Sequence, residues 1–157
     1  HPISALQTEY SLFEREAESN GVLDATRELG VGFVAYSPLG RGFITGELKS
    51  PDDFPADDFR RYIPRFQGEN FYRNLELVKA IRDLAAAKDL TPSQLAMAWV
   101  FSKGITAIPG TKRVKYIEQN AAAAEVTLSP AEITQLESFG VAVGNRYDTH
   151  SMNLLNH

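Results

Sequence analysis

A chain of 157 residues with 43% hydrophobic and 23% charged side chains is long enough for one domain with a real core. Its net charge of −4 and pI near 5.4 exclude nucleic-acid binding driven by bulk positive charge, so any anion must be held by a local cluster. The absence of cysteine excludes disulfides and thiolate-held metals, and no apolar run is long enough to span a bilayer.

The opening His1-Pro2-Ile3-Ser4 has neither an initiator Met nor a signal peptide, and reads as cut from something longer. Ile3 to Gln7 is a short, mostly apolar candidate strand. Glu14 to Leu29 reads as a helix. Acids at its start (Glu14, Glu16, Glu18) suit the macrodipole, Val22, Leu23, Thr26 and Leu29 form its apolar face, and Gly30 is a natural stop. Asn20-Gly21 is a candidate interruption. Val31 to Tyr36 follows, with the β-branched and aromatic content of a buried parallel strand. Pro38 cannot continue a ladder, and Gly40, Gly42 and Gly46 punctuate the loop beyond it. Strand, helix and strand with short connections are the mark of a βα repeat.

Glu47 to Glu69 reads as a long irregular stretch containing Pro51, Pro55 and Pro64, an acidic patch, and then Arg60, Arg61 and Arg65. Asn70 is a candidate cap for a helix over 71–88 with Leu75, Val78, Ile81, Leu84 and Ala85 on its buried side. Thr91-Pro92-Ser93-Gln94 is a capping box whose helix carries Leu95, Ala98, Trp99 and Val100 and ends near Gly104. Ile105 to Ile108 is a third strand, ended by Pro109-Gly110. Thr111 to Lys115 is basic and leads into a helix to about Ala124. A second capping box, Ser129 to Glu132, opens a last helix to about Phe139, and the tail from Val141 to His157 reads as irregular.

Two loops at strand ends carry the chemistry: Ser37 to Gly42, and Pro109 to Arg113. Successive strands of a right-handed βα array present their carboxyl ends on one side, so the two loops face together. Amides, a hydroxyl and the cations Lys112 and Arg113 at a helix start suit a multiply phosphorylated ligand; a solvated basic turn is the plainer alternative. Neither loop is a Walker A sequence or a G-x-G-x-x-G turn. Tyr36 at a strand end suits stacking on a flat ring or packing in a core. Gln7 suits an amide partner or a polar rim. Trp99 reads as packing between helix and sheet. His1, His150 and His157 lie at the termini and in the tail, a poor set for a general base or a metal, and no convincing acid–base pair emerges.

Four segments, Gln7 to Arg15, Phe33 to Gly46, Arg60 to Phe71 and Ala107 to Asn120, together resemble the aldo-keto reductases, in the branch labelled auxin-induced or pyridoxal-reductase-like. The resemblance covers nearly the whole chain. It implies an α/β fold, a (β/α)8 TIM barrel, of which residues 1–157 supply about strands 6–8 with their helices and the C-terminal extra helix. It implies an enzyme using NADPH to reduce a small-molecule aldehyde or ketone, while the lack of cysteine and of a targeting segment leads to an expected cytoplasmic location. In cofactor binding, Gln7 resembles the holder of the carboxamide and Tyr36 the aromatic stacked on the nicotinamide. Ser37, Pro38, Leu39, Gly40, Arg41 and Gly42 resemble the pyrophosphate loop. Gly110, Thr111 and Lys112, with Arg113 beside them, resemble the 2′-phosphate group, and Tyr116, Gln119 and Asn120 the adenine and ribose side.

The family's catalytic Asp, Tyr, Lys and His lie on earlier strands that nothing here matches, so the chain alone is expected to be inactive. Ser102 to Ile105 is shorter than usual, which could shift the register of the last strand. Two alternatives stay open: a non-catalytic nucleotide-binding interaction protein, as in the potassium-channel β subunits, or an inactive fragment whose open strand edges favour self-association. Neither nucleic acid nor membrane is an expected partner.

Overall fold

The computed structural model of this chain describes residues 1–155; the expectation of a tail to His157 runs past them, and His157 itself lies outside the described residues. Three parallel strands, β1 (Ala5–Glu9), β2 (Gly32–Tyr36) and β3 (Thr106–Ile108), form a sheet in the order β1-β2-β3. Glu9 pairs in register with Tyr36, and Tyr36 with Ile108, so the strands end level and their following loops start on one rim.

β1 begins two residues later than expected and takes in Thr8 and Glu9. Polar residues continue this strand because Arg41 reaches the buried Glu9 carboxylate at 2.9 Å, a contact from 32 residues away. On β2, Phe33 and Ala35 are buried on one face, while Val34 and Tyr36 point to the other. Gln7 and Glu9, the register partners of Val34 and Tyr36, share that second face.

The expected first helix is two short ones, α1 (Glu16–Ser19) and α2 (Val22–Glu28). Gly21 between them has φ of +83°, which no right-handed helix accommodates, so the Asn20-Gly21 interruption is real. The 47–69 segment is better ordered than expected, with three 3-10 turns at Pro51–Asp53, Phe59–Tyr62 and Pro64–Phe66. Ser50 and Asp53 close a capping box over the first, and Asp58 accepts from Arg60 N–H at the second. Phe54, Ile63 and Phe66 then turn inward to meet Phe43 and Phe71, with Phe43 stacked on Phe66 at 5.3 Å and edge-on to Phe71 at 4.8 Å.

α3 (Gly68–Ala86) starts before Asn70, which is no cap: its amide lies in the first turn and donates to Pro64 O at 3.1 Å. α4 (Pro92–Ser102) opens on the expected Thr91–Gln94 box, and its fully buried Trp99 stacks on Tyr10 at 5.2 Å. α5 (Val114–Ala122) has no fully buried residue, and Val114 and Ile117 are exposed. α6 (Pro130–Ser138) opens on the second box, and Glu137 accepts from Trp99 Nε1 at 3.2 Å. The tail is not wholly irregular: α7 (Thr149–Leu155) forms where Asp148 accepts from the amide and hydroxyl of Ser151. No described helix is long and apolar enough to cross a membrane.

Candidate functional site

The rim at the strand ends opens into a cavity of about 1080 Å3. One wall comes from the loop after β2, through Ser37, Leu39, Arg41 and Gly42. Another comes from the turn after β3 and the start of α5, through Gly110, Thr111, Lys112, Tyr116, Gln119 and Asn120. Sequence reasoning expected these two loops to face one another, and the level strand ends bring them together.

The loop after β2 reverses sharply. Ser37 and Arg41 have φ of +50° and +56°, unusual for side-chain-bearing residues, and Gly40 and Gly42 have +56° and +89°. The amides of Gly40 and Gly42 donate inward to Ser37 O and Leu39 O, each at 3.0 Å. These glycines therefore supply the turn and the missing Cβ rather than outward-pointing amides. A Cβ on Gly40 would sit 3.1 Å from the Phe13 ring, and one on Gly42 3.3 Å from Arg60 Nη1. Pro38 and Gly40 are buried under the loop and do not line the cavity.

Arg41 touches the cavity, yet its guanidinium is committed elsewhere. It binds Glu9 and lies 4.3 Å from the centre of the Tyr147 ring. Its Nη1 is buried without a hydrogen-bond partner among the described residues. Burial raises the Glu9 pKa more than the Arg41 contact lowers it.

On the facing wall, Thr111 and Asn120 meet, Asn120 Nδ2 donating to Thr111 Oγ1 at 3.1 Å. Tyr116 reaches across the mouth to donate to Glu47 Oε1 at 3.1 Å. Lys112, Arg113 and Lys115 are exposed, and Arg113 lies 5.8 Å from the Tyr116 ring centre, outside the cavity lining. Gln7 and Tyr36 also lie outside that lining, on the sheet face opposite the helices. Tyr36 is half-buried, with its hydroxyl 3.2 Å from that of Tyr147. Burial first, and then this contact, push the Tyr36 phenol well above its ordinary range, so it remains protonated at neutral pH.

The 47–69 segment also reaches the site, through residues other than the aromatic ones Phe54, Tyr62 and Phe66 that sequence reasoning singled out there. Pro55, Asp57, Asp58, Phe59 and Arg60 also line the cavity. Arg60 binds both oxygens of Asp58 and donates through Nη1 to Arg41 O at 2.8 Å, which ties the 47–69 segment to the loop after β2. The arginine hydrogen bond, above all, holds the Asp58 carboxyl below its usual range, with a smaller effect from Lys112. The spacing of Asp58 and Arg60 gave a local signal for that pair. Tyr147 was expected near the pocket only as an aromatic of the tail; nothing local signalled Glu47 or the pairing of Tyr147 with Tyr36, partners 69 and 111 residues distant.

Chemically, the cavity offers cations, a hydroxyl and a carboxamide on one wall, and a tight turn on the other. That chemistry is compatible with a phosphorylated ligand. Residues 1–140 match the family described as Aldo/keto reductase family. The chain is 51% identical over 154 residues to an aldo-keto reductase of Schizosaccharomyces pombe named yakc and NADP(+), covering 94% of this chain and 45% of that protein. It is 47% identical over 137 residues to the aldo-keto reductase str7 of Strobilurus tenacellus, covering 85% and 41% respectively. Among solved structures, it resembles the glycerol dehydrogenase of Gluconobacter oxydans at a TM-score of 0.83 and 25% identity, over 95% of this chain and 46% of that one. A thermostable aldo-keto reductase crystallised with the inhibitor epalrestat matches at a TM-score of 0.61 and 26% identity, over 85% of this chain and 39% of that one. The chain thus spans less than half the length of each of these relatives.

Proposed function

Since this chain belongs to the aldo/keto reductase family, we propose that it is the cofactor-holding part of an NADPH-dependent reductase of aldehydes and ketones. In this reading β1, β2 and β3 are the sixth to eighth strands of a (β/α)8 barrel, α6 is the extra C-terminal helix, and residues 1–157 form one C-terminal half domain. The outer edges of β1 and β3 and the exposed Val114 and Ile117 of α5 support it, because a barrel would cover them. The catalytic Asp, Tyr, Lys and His of the family have no counterpart in this sequence, so carbonyl reduction needs residues beyond these.

The observation that carries the proposal is the meeting of the Ser37–Gly42 loop and the Gly110–Asn120 segment across one cavity. The donor set fits NADPH. Lys112, with Arg113 nearby, would hold the 2′-phosphate by charge, while Thr111, Tyr116, Gln119 and Asn120 would take the adenosine side. Ser37, Leu39 and Gly42 would wrap the pyrophosphate. Arg41 would shape that loop through Glu9, with its buried Nη1 lacking a partner among the described residues. Gln7 and Tyr36 would hold and face the nicotinamide on the interior face of the sheet. NADPH, when bound, supplies the hydride. This chain would orient it; among the described residues no histidine lines the cavity.

The test is the affinity of the full-length protein for NADPH and NADH, with and without Lys112→Ala. One lost charge-assisted contact at an exposed site is expected to weaken NADPH by about five- to tenfold. NADH should be unaffected. Unchanged NADPH affinity would refute the assignment of the 2′-phosphate to this turn.

A further inference from the structure

The segment after α6 is strapped to the body of the fold at three successive residues. Ala142 N–H donates to Phe13 O at 3.3 Å, Val143 is gripped through both backbone groups by the Asn74 amide, and Gly144 O accepts from Arg65 at 3.3 Å. The strap delivers Tyr147 to the end of β2, where its hydroxyl meets that of Tyr36 at 3.2 Å. The ring of Tyr147 lies 4.3 Å from the Arg41 guanidinium. Arg41 is fixed by Glu9, and Glu9 is the register partner of Tyr36 across the sheet. The contacts close a circuit, from Tyr36 to Tyr147 to Arg41 to Glu9 and back to Tyr36.

A tyrosine at a strand end, on the face without helices, has two torsions free to wander. The circuit removes that freedom from one side only. Tyr147 holds the phenol by its oxygen, and among the described residues no aromatic ring stacks on Tyr36. The Glu9–Arg41 pair is buried, with side chains 1% and 8% exposed, so the platform under Tyr147 is stiff. A contact serving packing alone would cover the ring, whereas this one sets its orientation.

We propose that Tyr147 is a positioning residue that presets the ring of Tyr36 for stacking on the nicotinamide. The inference rests on the reading that Tyr36 is the nicotinamide platform. It gives the tail a task beyond closing the fold, and it assigns the Glu9–Arg41 pair the role of a rigid support rather than a phosphate contact.

The experiment compares two ligands in the full-length protein: NADPH, and 2′,5′-ADP, which has the adenine and 2′-phosphate but no nicotinamide. Tyr147→Phe deletes the hydroxyl and retains the ring on Arg41. It is expected to weaken NADPH by about fivefold, the worth of one hydrogen bond, and to leave 2′,5′-ADP within twofold. Equal weakening of both ligands would mean a general structural role and overturn the proposal. If NADPH is unchanged by Tyr147→Phe but weakened by Tyr36→Leu, the proposal fails while the platform reading stands. If Tyr36→Leu leaves NADPH unchanged, the platform reading itself fails and takes the proposal with it.

Discussion

Asn74 makes both side-chain hydrogen bonds to Val143 at the centre of the strap, and replacing it with alanine is the most direct test of how the tail is held. It is 1% exposed on α3. Its Nδ2 donates to Arg65 O at 2.9 Å and Val143 O at 3.0 Å, and its Oδ1 accepts from Val143 N–H at 2.7 Å. At about 1 kcal/mol net for each buried hydrogen bond, Asn74→Ala removes about 3 kcal/mol. The loss divides between two places. The two bonds to Val143 can be replaced by water if the tail lifts, whereas Arg65 O stays buried. Amide exchange at Val143 should therefore accelerate by about 30-fold, corresponding to about 2 kcal/mol of local opening, with the remaining destabilisation appearing in urea unfolding. Asn74→Asp keeps the acceptor for Val143 N–H but loses both donors and buries a charge, so it should do no better than alanine. Unaltered protection at Val143 together with a loss below about 0.5 kcal/mol would refute the clamp, since that is the range of a surface substitution.

Gly144 sets the strap's approach by a different route. Its φ is +91°, and a Cβ there would lie 2.9 Å from Arg65 N and Cα and from Asn70 Nδ2. Gly144→Ala should cost at least the roughly 1–2 kcal/mol of a left-handed L-residue and speed Val143 exchange; wild-type protection would show that the backbone relaxes without consequence. On α6, the hydrogen bond from Lys88, followed by those from the Ser129 backbone and hydroxyl, lowers the Glu132 carboxyl from its ordinary 4.5 to about 2. The depressed value means that its stabilising contribution is whole above pH 4.5 and is lost as pH falls toward 2. A carboxyl NMR titration should place the midpoint near 2, and Lys88→Met should raise it. A midpoint at the ordinary value would show that the exposed pair makes no lasting contact.

Features encoded within a few residues were legible in the sequence. The boxes at Thr91–Gln94 and Ser129–Glu132 start α4 and α6 where expected, because a cap needs only its own first turn. β2 was legible from its β-branched and aromatic run, and the break at Gly21 from its glycine. The two loops were paired correctly because strand order and handedness leave one rim for both. What was missed is long-range. β1 extends through Glu9 only because Arg41 neutralises it from beyond the next strand. Asn70 has the chemistry of a cap but is turned to Pro64 O by the preceding 3-10 turn. The outward-pointing amides expected of Gly40 and Gly42 are spent inside the loop, a matter of φ that composition does not disclose. Asn74 looked like any polar residue on a helix until a backbone 69 residues later came to lie on it.

The agreement between chain order and sheet order bears on how these residues are made. As they leave the ribosome, β2 finds β1 and β3 finds β2 already in place, and α4 and α6 can start from their own first turns without waiting for later sequence. The strap is the exception. Phe13, Arg65 and Asn74 are finished long before residues 142–144 emerge to occupy them, and Tyr147 comes later still. Vectorial synthesis thus completes both loops that line the cavity before the tail that meets Tyr36, so the pairing of the Tyr36 and Tyr147 hydroxyls is among the last contacts to form.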